Sequence, residues 1–171
     1  STQTNVSCYG GTNGIINIQS QGGTPSYDYL WNNGQTTSTI SGLPIGTYTV
    51  LVTDSLNCSQ TMNVTITQPQ EALALTSTSV DLICLNDPTG SIDINVTGGT
   101  VAYSYLWTTG STTEDISNLG SGDYTVTVTD NLGCILNATI TVEDPIDPML
   151  VNPAVSNVTC HGGNDAEIIL T

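Results

Sequence analysis

This chain repeats itself every 76 residues, and the repeat limits the folds open to it more than any other property of the sequence. Landmark residues recur at that offset without slippage, so that Cys8, Cys84 and Cys160 are equivalent, as are Trp31 and Trp107. Periods of this length are typical of proteins that stack copies of one small structural unit. The sequence therefore predicts three units, of which the first lacks its start and the third lacks its end: repeat 1 at residues 1–69, repeat 2 at residues 70–145 and the beginning of repeat 3 at residues 146–171.

Each unit contains a strong strand pattern, GTYTVLVTD at residues 46–54 and GDYTVTVTD at residues 122–130. Tyr48, Val50 and Val52 alternate with Thr49, Leu51 and Thr53, which is the period-two pattern of a strand with one buried face. Shorter patterns of the same kind surround it, separated by Gly, Asn and Asp turns, and no segment has helical periodicity. We therefore predict an all-β fold of tandem immunoglobulin-like β-sandwich repeats, with about seven strands per unit and this strand at the centre.

The composition excludes several partners. The 171 residues include no Lys or Arg and 15 acidic residues, so the formal net charge is -15. Binding to nucleic acid and direct attraction to anionic lipid both depend on cationic side chains, and we expect neither. No apolar run is long enough to span a bilayer, so we expect no direct membrane insertion in this segment. Five cysteines in a Thr-rich chain with few charged residues indicate an extracellular, oxidising location.

One predicted strand in each unit carries a row of aromatic residues on one face. These residues are Tyr27, Tyr29 and Trp31 in repeat 1, and Tyr103, Tyr105 and Trp107 in repeat 2. Large aromatic side chains are usually buried in domains this small, so we favour a core role, as for the strand-C tryptophan of immunoglobulin-like domains. The alternative is an exposed row that stacks on sugar rings.

The cysteines allow more than one pairing. The default pairs Cys8 with Cys58 and Cys84 with Cys134, and each loop of 50 residues would stabilise by about 4 kcal/mol. In an immunoglobulin-like strand order, however, Cys8 and Cys58 lie at opposite poles, separated by roughly 23 Å of strand. Cys8 would then meet Cys134 across the junction. We favour pairing within units, because the first strand can bend; free thiols are a third possibility, and Cys160 would find its partner outside this segment.

Acidic residues at the second junction suggest a metal site. Glu143, Asp144 and Asp147 flank Pro145, and acidic clusters between tandem sandwiches can bind calcium. The first junction offers only Glu71, and this asymmetry favours a solvated, self-repelling surface instead. We therefore expect no cofactor, with calcium as the alternative.

Catalysis finds little support in the sequence. His161 is the only histidine, and its equivalents in the other units are Tyr9 and Leu85. No cysteine has a nearby base, and no pair of carboxylates has a spacing that indicates glycoside hydrolysis. We therefore predict that the chain is not an enzyme.

A family resemblance rests on three motifs: Gly-Gly-Thr-Pro-x-Tyr-x-Tyr-x-Trp-x-x-Gly at residues 22–34, Gly-Thr-Tyr-Thr-Val-x-Val-Thr-Asp at residues 46–54, and the cysteine that follows. Together they resemble the SprB-type repeat of the cell-surface gliding adhesins of Bacteroidota, and the likeness covers nearly the whole chain. The second motif alone also occurs in polycystic-kidney-disease-like modules. Departures are small: Val101 replaces Pro25, and Asn57 stands where repeat 2 has Gly133.

The resemblance implies a structural and adhesive segment of a long surface filament, secreted by the type IX system and moved along the cell to drive gliding. Its partners would be adjacent repeats of the same chain and surfaces or polysaccharides. Asp54-Ser55-Leu56 is similar to the O-glycosylation motif of exported Bacteroidota proteins, which implies a glycan on Ser55. The alternatives are a carbohydrate-binding accessory module of a secreted hydrolase and a passive spacer stalk.

Overall fold

The computed structural model describes residues 1–84, 87–145, 153–156 and 167–170, the last two segments as strand backbone only. All regular structure in these residues is β-strand. Repeat 1 contains β1 (Thr2–Thr4), β2 (Gly14–Asn17), β3 (Tyr27–Trp31), β4 (Thr39–Leu43), β5 (Gly46–Asp54) and β6 (Ser59–Ile66). Repeat 2 contains β7 (Ala74–Val80), β8 (Gly90–Thr97), β9 (Ser104–Trp107), β10 (Ile116–Leu119), β11 (Gly122–Thr129) and β12 (Ile135–Val142). The last two strands, β13 (Pro153–Ser156) and β14 (Glu167–Leu170), pair with each other in antiparallel fashion.

Each repeat is an immunoglobulin-like sandwich of two three-stranded antiparallel sheets. In repeat 1 the sheets have the orders β1-β2-β4 and β3-β5-β6, and in repeat 2 the orders are β7-β8-β10 and β9-β11-β12. Six strands form in each repeat, where the sequence suggested about seven. In repeat 1 the polar stretch 32–38 forms turns instead of a further strand, and its carbonyl groups accept hydrogen bonds from Trp31.

The predicted central strand is central in the structure. β5 lies between β3 and β6, with Val50 opposite Trp31 on one side and Met62 on the other. Tyr48 and Val50 are buried, whereas Leu51 between Val50 and Val52 is exposed. The period-two pattern therefore assigns the two faces of this strand correctly.

Each repeat has its own apolar core between its two sheets. The core of repeat 1 is built on Trp31, with side chains that include Ile16, Ile40, Val50 and Ile66. The core of repeat 2 is built on Trp107, with Ile92, Val126, Val128 and Val142. Burial of apolar surface and the strand ladders hold these sandwiches together, since a chain without Lys or Arg lacks the usual side-chain ion pairs.

Candidate functional site

One end of each repeat combines a Gly-Gly corner, a buried aspartate and a cysteine. We call this end the glycine pole; it comprises Gly22, Gly23, Asp54 and Cys58 in repeat 1, and Gly98, Gly99, Asp130 and Cys134 in repeat 2. The Gly-Gly corner precedes the aromatic strand, while the aspartate and the cysteine bracket the turn after the central strand. The fold thus brings together segments about 30 residues apart.

The aspartate of the glycine pole ties these segments together. Oδ2 of Asp54 accepts a hydrogen bond from the backbone N–H of Thr24 at 2.9 Å, and its Oδ1 accepts from the N–H of Leu56 at 2.9 Å and of Cys58 at 2.8 Å. Asp130 makes the equivalent three bonds in repeat 2, at 2.8, 2.9 and 2.8 Å. Each carboxylate therefore fixes the position of the cysteine that opens the next strand.

These bonds lower the pKa of both aspartates. The backbone N–H groups of Thr24 and Cys58 hold the pKa of Asp54 below its ordinary value of 3.8, against the opposing effect of burial. Burial acts to raise the pKa of Asp130, but hydrogen bonds from Cys134, Thr100 and other backbone N–H groups outweigh it. Hydrogen bonds to a charged carboxylate favour the charged form, so both groups are ionised at neutral pH.

The cysteines pair between repeats. Cys8 forms a disulfide with Cys134, with a Cα–Cα distance of 5.7 Å, while Cys58 and Cys84 are free thiols. The favoured pairing within units is therefore wrong for Cys8–Cys58 and Cys84–Cys134, and the pairing across the junction is present. Cys160 lies outside the described residues.

Strand geometry explains this result. Gly10, two residues after Cys8, donates its N–H to the side chain of Gln68 just beyond the end of β6. Cys58 lies just before the first residue of β6, and the eight residues of that strand span about 27 Å. A disulfide cannot bridge such a distance.

The glycine poles of the two repeats differ in what covers them. In repeat 2 the segment Glu71–Leu73, which is part of the connection between β6 and β7, lies against the pole, and the N–H of Gly99 donates to the carbonyl of Glu71 at 3.0 Å. A Cβ added at Gly98 would collide with the carbonyl oxygen of Ala72, whereas one added at Gly22 would meet nothing within 4 Å. The pole of repeat 1 is instead an open groove of about 310 Å³, lined in part by Gly22, Tyr27 and Cys58.

The tryptophans of the aromatic rows lie in the cores. Trp31 and Trp107 are each 2% exposed, and their indole Nε1–H groups donate to the carbonyls of Thr37 and Thr113 at 2.9 Å. The tyrosines Tyr27, Tyr29, Tyr103 and Tyr105 are partly buried beside them. Burial and the neighbouring Glu114 raise the pKa of Tyr105 to about 12. The interpretation as a sugar platform required exposed Tyr27, Tyr29 and Trp31, and the burial of Trp31 disagrees with it.

Two further predicted sites are the acidic residues at the second junction and Ser55. Glu143 and Asp144 are exposed, and Asp147 lies outside the described residues. Within the part of the chain that the structure describes, no three His, Cys, Asp or Glu side chains are grouped so as to hold a metal ion. Ser55 is exposed, and its hydroxyl donates to the carbonyls of Thr24 and Pro25 at 3.1 and 3.2 Å. Calcium binding and O-glycosylation stay predictions.

Comparison with known families finds a likeness in both repeats. The family model of the SprB repeat matches residues 1–36 and 76–112. Both units carry a SprB repeat match. The predicted resemblance is confirmed over these two segments, which include Cys8, the Gly22–Gly23 corner and the tryptophan of each aromatic strand. The motif at residues 46–54 and the cysteine that follows it lie outside the matched segments.

The SprB repeat indicates the broad class of protein. SprB repeats are associated with cell-surface proteins, and the two matches indicate a repeat of the cell-surface adhesin type. SprB repeats and immunoglobulin-like folds are typically non-catalytic structural modules. None of the described residues forms a helix that could cross a membrane.

Other comparisons give weaker likenesses. No curated protein matches the chain. Among solved structures, the amphioxus IgVJ-C2 molecule is similar at 12% identity and a TM-score of 0.36; the alignment covers 77% of this chain and 96% of that one.

Proposed function

We propose that this chain is a structural and adhesive segment of a long extracellular filament, in which SprB repeats follow one another as covalently linked sandwiches. The observation that carries the proposal is the Cys8–Cys134 disulfide, which joins a residue of repeat 1 to the glycine pole of repeat 2. A covalent bond between neighbouring repeats keeps them joined when the filament is pulled, and a filament that bears load requires this. The SprB repeat match favours a gliding adhesin exported by the type IX system.

Adhesion by such a surface requires a bridging cation. A net charge of -15 repels acidic polysaccharides, and the chain has no Lys or Arg to offset that repulsion. Divalent cations such as calcium can be shared between carboxylates of two partners. The exposed pair Glu143 and Asp144, at the end of repeat 2, is our candidate for this contact.

A binding assay tests adhesion directly. The full chain would be applied to glass and to a panel of acidic and neutral polysaccharides, first with calcium and then with a chelator. We expect retention that needs calcium and that falls in the double variant Glu143→Gln, Asp144→Asn. The double variant Asp28→Asn, Asp93→Asn removes the same charge from exposed strand positions and should retain binding. Absence of binding under both conditions would leave the repeats as a passive spacer.

A second experiment tests the link to gliding. Antibody-coated fluorescent beads that recognise this chain would be added to living cells that produce it. We expect the beads to attach to intact cells and to move along them. Attached but stationary beads would support a surface filament without a role in motility, and failure to attach would contradict surface display.

A further inference from the structure

The open glycine pole of repeat 1 has the shape and chemistry of a site that is filled in repeat 2. Its thiol, Cys58, is exposed and lines the groove beside Gly22. The equivalent sulfur in repeat 2, that of Cys134, is bonded to Cys8 of repeat 1. The same position is thus a disulfide in repeat 2 and a free thiol in repeat 1.

Backbone contacts show the same difference independently of the sulfur atoms. The carbonyl of Glu71 accepts the N–H of Gly99, and the side chain of Leu73 reaches within 3.2 Å of a Cβ built at Gly99. Gly23 occupies the equivalent position, and the three atoms nearest to a Cβ built there all belong to Asp54 of the same repeat. Asp54 and Asp130 make the same three hydrogen bonds, so the pole of repeat 1 is already built before anything covers it.

We propose that the glycine pole of repeat 1 is a docking site for a preceding unit of the same kind, which forms a disulfide with Cys58 and whose connection to repeat 1 lies against Gly22–Gly23. Cys84 is the equivalent of Cys8, and it makes the same bond to the glycine pole of a following unit. Each unit therefore takes part in two staples, one toward each neighbour. The proposal concerns how units join, and it holds whether or not the filament adheres.

Formation of the staple is an oxidation with a defined balance. The Cys58 thiolate attacks a small disulfide such as oxidised glutathione, which gives a mixed disulfide and releases one glutathione thiolate. The cysteine thiolate of the preceding unit then attacks the Cys58 sulfur and releases the second glutathione. Two thiols lose two protons and two electrons, and one glutathione disulfide becomes two reduced glutathione molecules.

The test adds one more unit before repeat 1, at the same spacing as between the existing repeats. The full chain would be extended before Ser1 by a further copy of residues 1–76, which places the Cys8 of the copy 126 residues before Cys58, the same separation as between Cys8 and Cys134. The copy would carry Cys58→Ser, so that a single Cys58 remains. After oxidation in a glutathione buffer, free thiols would be alkylated and the protein digested with pepsin, since trypsin needs Lys or Arg. Mass spectrometry would then identify the linked peptides.

We expect alkylation of Cys58 to fall at least tenfold in the extended chain, with a new peptide that links Cys58 to a Cys8 while Cys8–Cys134 persists. The matched control adds Cys8→Ser in the copy only. With alkylation carried out in denaturant, so that a docked segment cannot shield the thiol, Cys58 should then be alkylated as in the original chain. Continued alkylation of Cys58 in the extended chain would overturn the proposal. Protection of Cys58 in the control would do so as well, because the bond would then lie within repeat 1.

A pair of glycine variants reports docking without sulfur chemistry. Gly22 and Gly98 both have positive φ, +81° and +73°, so replacement by alanine strains the backbone of each to a similar degree. Only at Gly98 would the added Cβ meet the connecting segment. In the original chain we expect Gly98→Ala to lower the melting temperature of its repeat about 5 °C more than Gly22→Ala.

In the extended chain with Cys8→Ser in the copy, the groove would be filled but not stapled, and Gly22→Ala should become as costly as Gly98→Ala. If Gly22→Ala lowers the melting temperature of the extended chain no more than it does in the original chain, then no segment docks at the pole.

Discussion

At the scale of single residues, the buried aspartates organise the glycine pole. The turn motif of Asp54 and Asp130 predicts hydrogen bonds to the loop that follows, and the structure contains them. The third bond, from Thr24 or Thr100, comes from a segment 30 residues earlier. A local motif could not predict it, because it depends on how two strands are placed in the fold.

Replacement of Asp130 by asparagine tests this clamp. An amide presents only one oxygen, so either the N–H of Thr100 or the N–H groups of Leu132 and Cys134 would lose their acceptor. We expect a cost of about 1–3 kcal/mol in the free energy of unfolding at pH 7. Urea denaturation measures this cost. Asp28→Asn, at an exposed strand position, is the control and should be nearly neutral.

The same variant has a pH signature. The folded pKa of Asp130 lies below its ordinary value of 3.8, so its stabilisation is fully present above that value and is lost as the pH falls through the folded pKa. The difference in stability between the original chain and Asp130→Asn should therefore shrink below pH 3.8. A difference that stays constant from pH 7 to pH 2.5 would contradict the ionic clamp.

At the scale of strands, the alternation of apolar and polar residues predicts which face of a strand is buried. It does not predict which residues meet at the ends of the strand. The pattern of β5 identifies Val50 as buried and Leu51 as exposed, because side chains of a strand point alternately to opposite faces. The disulfide pairing could not be fixed in the same way. It depends on which pole of the sandwich holds Cys8, and the sequence leaves open whether the first strand bends.

Two threonine substitutions in β5 test the alternation with the same new side chain. Val50 is 0% exposed, so Val50→Thr places a hydroxyl in the core and should cost about 1–3 kcal/mol. Leu51→Thr introduces the residue that repeat 2 has at Thr127, on the outer face, and should change stability by less than about 0.5 kcal/mol. Chemical denaturation compares the two, and equal costs would show that the faces are assigned wrongly.

At the scale of the whole molecule, the excess of negative charge governs how stability responds to salt. Acidic side chains repel one another, and no Lys or Arg forms an ion pair that salt would weaken. Added salt therefore screens almost only repulsion.

We expect the melting temperature to rise by several degrees between 10 and 300 mM NaCl, as measured by circular dichroism. The rise should be smaller at pH 4.5, where part of the carboxylates are protonated. A melting temperature that falls with salt would mean that ion pairs, such as those of the chain's amino terminus, outweigh the repulsion.

The disulfide between repeats also changes the response to pulling. Cys8 and Cys134 are 126 residues apart, so reduction of their bond should release roughly 400 Å of additional contour length when the unfolded chain is stretched from its ends. Optical-tweezers traces with and without a reducing agent measure this difference. Cys8→Ser should give the long contour under both conditions, and an unchanged length on reduction of the original chain would contradict the bond.

Tension applied to the oxidised chain therefore passes from repeat 1 to repeat 2 through two sulfur atoms, and most of both sandwiches lies outside the load path. Unfolding of either core inside that loop would lengthen the molecule very little. The redox state of the surroundings, more than the stability of the fold, then decides how far this chain can be drawn out.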